Sequence, residues 1–357
     1  SRPEIVDAVA RQMSKLPYAR GSSVGSVPAL DLVRRLAGLS SVRNARVMFQ
    51  NSGSEAVEVA FKLVRQYGVL QGHARSTILA LRLGYHGQTL ATVWASGEEY
   101  SREPFGPPVA GFQLIDFPAG AQDVAAVRDH VSRNGDVGAV IVEPVLGHAG
   151  SYLLPEGYLA ELRAVCDDLG LLLICDEITS GMGRCGRWFM SDEVEPDIVL
   201  VGKALTNGYL PLSATIVSER VWTVFDERGV FRHGQTYTNH PVCCACGLAA
   251  LELLEREDAP ARSLALGKLV RDQLDSLLSD GRVTGVRGVG ALFAIEFDPV
   301  LHTRGGGPKW LQNALLDDGY IVGQIDNSLF LSPPLVLSAE EVASFSGSLC
   351  RNLERVH

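Results

Sequence analysis

The sequence predicts an α/β protein: a mostly parallel sheet covered on both faces by helices, followed by a smaller α+β unit. Three observations predict it. Apolar runs of strand length alternate with stretches of helical periodicity through the middle of the chain. Runs such as Leu171-Leu172-Leu173-Ile174-Cys175 are continuously apolar, the pattern of a strand buried on both faces. After about residue 254 the alternation gives way to a long helical stretch and short strands bounded by glycine. At 357 residues, one large domain plus a smaller one is the expected division. The boundaries read as 1–20 for an N-terminal segment packing with the small domain, 21–255 for the large domain and 256–357 for the small one.

Each element has its own signal. Residues 4–15 read as a short helix, and Arg46-Val47-Met48-Phe49 as a strand running into the small-residue loop Asn51-Ser52-Gly53-Ser54. Residues 55–67 place Val57, Ala60, Phe61 and Val64 on one helical face, with Gly68 as the stop. The strand at 77–83 breaks at Gly84-Tyr85-His86-Gly87, and the one at 138–142 ends at Glu143-Pro144. A helix at 161–169 leads to the strand 171–175, which ends at Asp176-Glu177. The strand 197–201 ends at Gly202-Lys203, and another follows at 214–218. In the C-terminal part, helices are expected at 259–278, 311–318 and 338–353, strands at 289–297 and 329–331, and a loop at Gly305-Gly306-Gly307-Pro308.

Composition narrows the function. Hydrophobic residues make up 46% and charged residues 20%, an ordinary globular balance. A formal net charge of -9 argues against nucleic acid or an anionic membrane as the main partner. No apolar run is long enough to span a bilayer and no secretory pattern opens the chain, so a cytoplasmic location is expected. Seven cysteines, an odd number, fit a reducing compartment; Cys243, Cys244 and Cys246 lack a second ligand pair, so no metal site is expected.

The polar and glycine-rich positions fall just after the expected strands. In an open parallel sheet, ligands bind outside the carboxyl ends of the strands. Gly53-Ser54, Tyr85-His86, Glu143, Asp176 and Lys203 are therefore expected to converge on one cleft. Gly53-Ser54 at a helix start offers an anion site, or a plain N-cap. Asp176 closes an apolar strand and needs a cationic partner: a protonated ring nitrogen, or an arginine such as Arg184 or Arg187. Lys203 closes another buried strand; desolvation there frees its amine as a nucleophile, unless the ammonium group reaches solvent. Tyr85 offers an aromatic face, or simply a packed turn.

As a set, these residues resemble the class III aminotransferases of pyridoxal-phosphate fold type I. The resemblance runs from about residue 2 to 336. It rests on Asn51-Ser52-Gly53-Ser54-Glu55-Ala56, Tyr85-His86-Gly87, Glu143-Pro144-Val145, Asp176-Glu177-Ile178 leading to Gly183-Arg184-Cys185-Gly186, Gly202-Lys203-Ala204-Leu205-Thr206-Asn207-Gly208, Thr236-Tyr237 before His240-Pro241, and Ser332-Pro333-Pro334-Leu335. It implies a seven-stranded, mostly parallel sheet and pyridoxal 5′-phosphate as cofactor. The implied reaction moves an amino group between an amine or amino acid and a keto acid, aldehyde or ketone, through a Lys203 aldimine and pyridoxamine phosphate. Carried over by residue, Lys203 attaches the cofactor and shuttles a proton, and Asp176 pairs with the pyridinium nitrogen. Gly53 and Ser54 hold the phosphate, Tyr85 and Ile178 cover the two ring faces, and His86 and Glu143 line the pocket. Thr236 reaches the phosphate of a neighbouring subunit, which implies a homodimer with shared active sites.

Departures from the family pattern bear on the substrate. Phe330 stands where relatives that use keto acids place an arginine, and Gly323 stands where amine-type relatives place a mobile one. The phenylalanine implies an apolar wall and an apolar or bulky, non-carboxylate substrate group. Thr179 replaces a glutamine that some relatives place near the cofactor. Other chemistries on the same scaffold remain open at this level: an amino-acid epimerase, an aminomutase, a decarboxylase or a non-catalytic protein of this fold. The same Lys203 and Asp176 would serve the first three.

Overall fold

The computed structural model describes residues 1–21, 24–73, 75–278, 281–299 and 307–355, the side chains of Asp275 and Ser276 apart. Among these residues the strands run, in chain order, β1 (Arg46–Gln50), β2 (Thr77–Leu81), β3 (Phe112–Ile115), β4 (Val137–Val142), β5 (Val145–Leu146), β6 (Tyr152–Leu153), β7 (Leu172–Asp176), β8 (Ile198–Val201), β9 (Ser213–Val217), β10 (Val283–Val289), β11 (Leu292–Phe297), β12 (Gly323–Ile325) and β13 (Ser328–Leu331). The chain divides into two compact units. The first comprises Ser1–Pro144, Leu154–Met182 and Trp188–Arg256; the second comprises Val145–Leu153, Gly183–Arg187 and the chain from Glu257 onward.

The first unit holds the expected seven-stranded sheet, ordered β1-β9-β8-β7-β4-β2-β3. From β8 to β3 every pair is parallel, while β9 runs antiparallel to both β8 and β1. β2, β4, β7 and β8 are buried at every position, which is why they read as continuous apolar runs. The helix Gly53–Leu70 lays Val57, Ala60, Phe61 and Val64 on a core that includes Ile78, Ile141, Ile174 and Leu200. Its start is capped by Ser52 Oγ, which accepts the Glu55 N–H at 3.3 Å, and Glu55 Oε2 accepts the N–H of Asn51, the residue before the cap, at 2.8 Å. Gly68 does not stop this helix, which continues to Leu70. It is small because a Cβ there would meet the Arg75 carbonyl oxygen at 2.8 Å.

Helix Pro3–Lys15 belongs to the first unit, whereas the sequence alone groups residues 1–20 with the small domain. Ile5 packs on Cys246, Ala249, Ala250 and Leu253 of helix Pro241–Arg256. That same helix accounts for Cys243, Cys244 and Cys246, which are buried in it as free thiols.

In the second unit a four-stranded sheet, ordered β10-β11-β13-β12, is antiparallel throughout. Phe293 and Ile295 share a core with Leu266, Val270 and Leu274 of helix Ala259–Leu278, Leu311 and Leu315 of helix Gly307–Asp317, and Leu349 of helix Ala339–Glu354. The expected single strand at 289–297 is instead the end of β10, a turn and β11. Gly290 makes that turn at φ +58°, and a Cβ there would meet the Arg184 carbonyl oxygen at 2.7 Å. Of the loop expected at 305–308, Gly305 and Gly306 lie outside the described residues. Gly307 and Pro308 open a helix, where a proline lacking its N–H is tolerated in the first turn. Among the described residues, no helix is long and apolar enough to cross a membrane.

Candidate active site

Adjacent parallel strands place the two central side chains. β7 ends in Asp176, whose register partner on β8 is Leu200, and β8 runs on through Gly202 to Lys203. Glu143 follows β4 and Tyr85-His86 follow β2, while Gly53 and Ser54 open the helix after β1. All these segments leave the same edge of the sheet. They line a cavity of about 190 Å³ together with Gly87, Ile178 and Thr179.

Asp176 sits at the floor with its side chain 4% exposed. Its Oδ2 accepts from His86 Nδ1 at 2.8 Å, and its Oδ1 accepts the Ile178 N–H at 3.1 Å. A carboxylate only accepts, so the proton of this pair rides on Nδ1. His86 is fully buried and is fixed from behind by its own N–H, which donates to Ser96 Oγ at 2.8 Å. The protein partner of Asp176 is therefore a histidine. Both alternative arginines, Arg184 and Arg187, belong to the second unit, where Arg184 donates to the carbonyls of Ala291 and Pro333.

Glu143 accepts the Tyr85 N–H at 2.9 Å, which orients the aromatic residue. Burial raises its carboxyl to about 7; nearby His86 opposes that rise and Asp176 adds to it. In the turn after β7, burial likewise raises Glu177 to about 7. Glu177 accepts from Ser180 Oγ at 2.5 Å and from the Ser191 N–H at 2.7 Å. Those bonds shape the turn that displays Ile178 and Thr179.

Lys203 has a φ of +34°, the left-handed region that residues with a Cβ rarely adopt. The residue is exposed, so the desolvation expected at a buried strand end does not hold for it. Its Nζ donates to Thr179 Oγ1 at 2.5 Å. Opposite, Gly53 leaves room for Ile178: a Cβ on Gly53 would lie 3.1 Å from Ile178 Cδ1. Ser54 Oγ accepts the Gln88 N–H at 3.0 Å, which ties the helix start to the Tyr85-His86-Gly87 turn.

Three sequence-predicted residues are not among those that line this cavity. Thr236 is exposed and does not line this cavity; its carbonyl accepts from the Tyr18 hydroxyl at 2.9 Å. Phe330 and Gly323 are direct cross-strand partners in the second unit, where a Cβ on Gly323 would meet the Phe330 ring at 3.2 Å. Sequence reasoning placed Thr179 near the cofactor through the resemblance alone and gave it no role. Its local signal is its place beside Ile178 in the turn that follows Asp176.

A buried carboxylate, a lysine and a helix start that line one cavity are groups that could hold a phosphorylated, protonatable ring aldehyde. Comparison with known proteins agrees. The family described as aminotransferase class-III matches residues 1–353. Solved structures similar to this chain cover all of it. An aminotransferase of Bacillus anthracis is 32% identical with a TM-score of 0.92, and 86% of that chain is covered. An amine transaminase from an uncultivated Pseudomonas species, in the PLP-bound internal aldimine form, is 31% identical with a TM-score of 0.92 and 88% covered. The omega transaminase of Pseudomonas jessenii in complex with PMP is 26% identical with a TM-score of 0.94 and 85% covered. The chain belongs to the class III aminotransferases: it is a pyridoxal 5′-phosphate-dependent enzyme of fold type I that transfers an amino group. That decides among the chemistries the sequence leaves open.

Proposed function

We propose that Lys203 is the residue that attaches the cofactor and, once released, moves the proton at its Nζ during amino transfer. The observation that carries this is the convergence of Lys203, Asp176 and the Gly53-Ser54 helix start on one cavity. Bound pyridoxal 5′-phosphate supplies an electron sink for the amino carbon. Asp176 faces the ring nitrogen and keeps it protonated, and His86 holds Asp176 in place. Gly53 and Ser54 take the phosphate with backbone N–H groups, the partial positive charge of the helix start and a hydroxyl. Tyr85, oriented by Glu143, covers one ring face and Ile178 the other.

Thr236 serves the phosphate of a second copy, which makes the enzyme a homodimer with shared active sites. Its exposure and its absence from its own chain's cavity support this reading. For the substrate, Phe330 and Gly323 supply an apolar surface where a carboxylate-gripping arginine would otherwise stand. The amino donor or acceptor is then an amine, aldehyde or ketone carrying an apolar or bulky group.

The test is to add a panel of amines, without keto acid, to the protein carrying its cofactor and to follow the absorbance. Conversion of the long-wavelength band to a shorter-wavelength one reports a completed half-reaction, and the fastest amine names the donor class. Lys203→Ala should abolish both the band and the conversion. Fastest conversion with short α-amino dicarboxylates would sink the substrate reading while leaving the roles of Lys203 and Asp176 intact.

A further inference from the structure

Lys203 is anchored at both ends of a long side chain. Its left-handed backbone persists because the following turn holds it: the Leu205 N–H donates to the Gly202 carbonyl at 2.8 Å, and the Thr206 N–H to that of Lys203 at 3.3 Å. At the other end, Nζ meets Thr179 Oγ1 at 2.5 Å. Between these anchors lie four carbons with free rotation, on a residue that is exposed. A lysine tethered only at its backbone would spread its amine over many positions, and ordering it costs entropy.

Threonine is well suited to be the second anchor. Its branched Cβ restricts χ1, so the turn backbone decides where the oxygen stands. That turn is itself held, by the Ile178 N–H on Asp176 Oδ1 and by the buried Glu177 carboxyl on Ser180 and Ser191. A hydroxyl accepts from an ammonium group and donates to a neutral amine, so the contact survives a change of protonation.

We propose that Thr179 is a positioning residue that presents the free amine of Lys203 to the carbonyl carbon of the incoming cofactor; this rests on the reading of Lys203 as the attaching residue. In the capture step the neutral amine's lone pair forms a bond to the aldehyde carbon. A carbon–nitrogen double bond replaces the carbon–oxygen one, and the oxygen leaves as water with the two hydrogens given up by Nζ. Pre-placing Nζ converts part of the search for that geometry into a property of the fold.

The experiment mixes apoenzyme with saturating pyridoxal 5′-phosphate and follows covalent capture by absorbance, for the wild type, Thr179→Val and Thr179→Ser. Competition by inorganic phosphate measures the phosphate cradle separately. Thr179→Val should capture about tenfold more slowly, the upper end of the effect of losing one hydrogen bond. Thr179→Ser should restore most of the rate, and the inhibition constant for inorganic phosphate should be the same in all three. Thr179→Ala replaces Thr179→Val if the latter does not fold. Equal capture by wild type and Thr179→Val overturns the proposal. So does a serine variant as slow as valine, or a parallel weakening of phosphate binding, which would mark a packing role. Absence of capture by the wild type would overturn the reading of Lys203 and this proposal together.

Discussion

His86 Nδ1 stands 2.8 Å from Asp176 Oδ2, with both side chains buried. The histidine supplies one of the two hydrogen bonds that the structure gives this carboxylate, the other being the Ile178 N–H. Removing a partner from a buried acceptor costs about 1–3 kcal/mol. His86→Ala should therefore weaken cofactor binding by about ten- to a hundredfold, read by titrating apoenzyme with pyridoxal 5′-phosphate. An unchanged dissociation constant would show that Asp176 keeps its place without the histidine.

Asp176→Asn keeps the size of the side chain and removes its charge. The protein should fold with little change in melting temperature. Its half-reaction with a saturating amine should slow by about 10²–10³, the usual effect of losing one group aimed at charge that develops during reaction. Single-turnover absorbance measurements check this directly.

Two glycines of the cavity wall should respond unequally to alanine. At Gly53 the added Cβ would sit 3.1 Å from Ile178 Cδ1, the end of a side chain rather than backbone. At Gly87, φ is +128° and the added Cβ would fall 2.3 Å from Ser54 Oγ. Gly87→Ala should lose both stability and cofactor affinity by a wide margin, since strained backbone alone costs about 1–3 kcal/mol. Gly53→Ala should lose only a few-fold in affinity. Thermal melting and cofactor titration of the two variants provide the comparison, and a more severe Gly53→Ala would contradict it.

Glu177 makes stability depend on pH. Its carboxyl rises from an ordinary 4.5 to about 7 on folding, chiefly because burial penalises the charged form. Between those values the folded protein binds more protons than the unfolded chain, so stability falls as pH rises. The contribution is fully present below pH 4.5 and is lost by about pH 7, a span worth about 3 kcal/mol. Denaturant unfolding should show wild-type stability declining across that window more steeply than that of Glu177→Gln, which carries no titrating group there. Identical slopes would refute the assignment.

Much of this site is legible in the sequence because strand ends are legible. A continuous apolar run that stops at Asp176 or at Gly202-Lys203 announces both the strand and the polar group beyond it. A parallel sheet then gathers such groups on one edge. Side-chain partnerships are less visible. His86 and Asp176 are 90 residues apart, and Lys203 and Thr179 are 24 apart, so no local pattern links them. Helix Pro3–Lys15 displays an apolar face, but periodicity does not say which surface covers it; the answer is a helix more than 200 residues later. The β10–β11 turn is hidden for a different reason. Its Val289-Gly290-Ala291-Leu292 stretch stays apolar, and only the glycine's backbone conformation breaks the strand.

Asp176 and Lys203 are separated by one lateral step between neighbouring strands and three residues beyond the register partner Leu200. Strands lie about 4.8 Å apart whatever their side chains. The interval between acid and amine is thus a ruler made of backbone, and a slip of one residue between β7 and β8 would turn every side chain of the shifted strand to the opposite face. Substitution can retune either end of that ruler, while its length is set by the register of β7 on β8 and by the turn that holds Lys203.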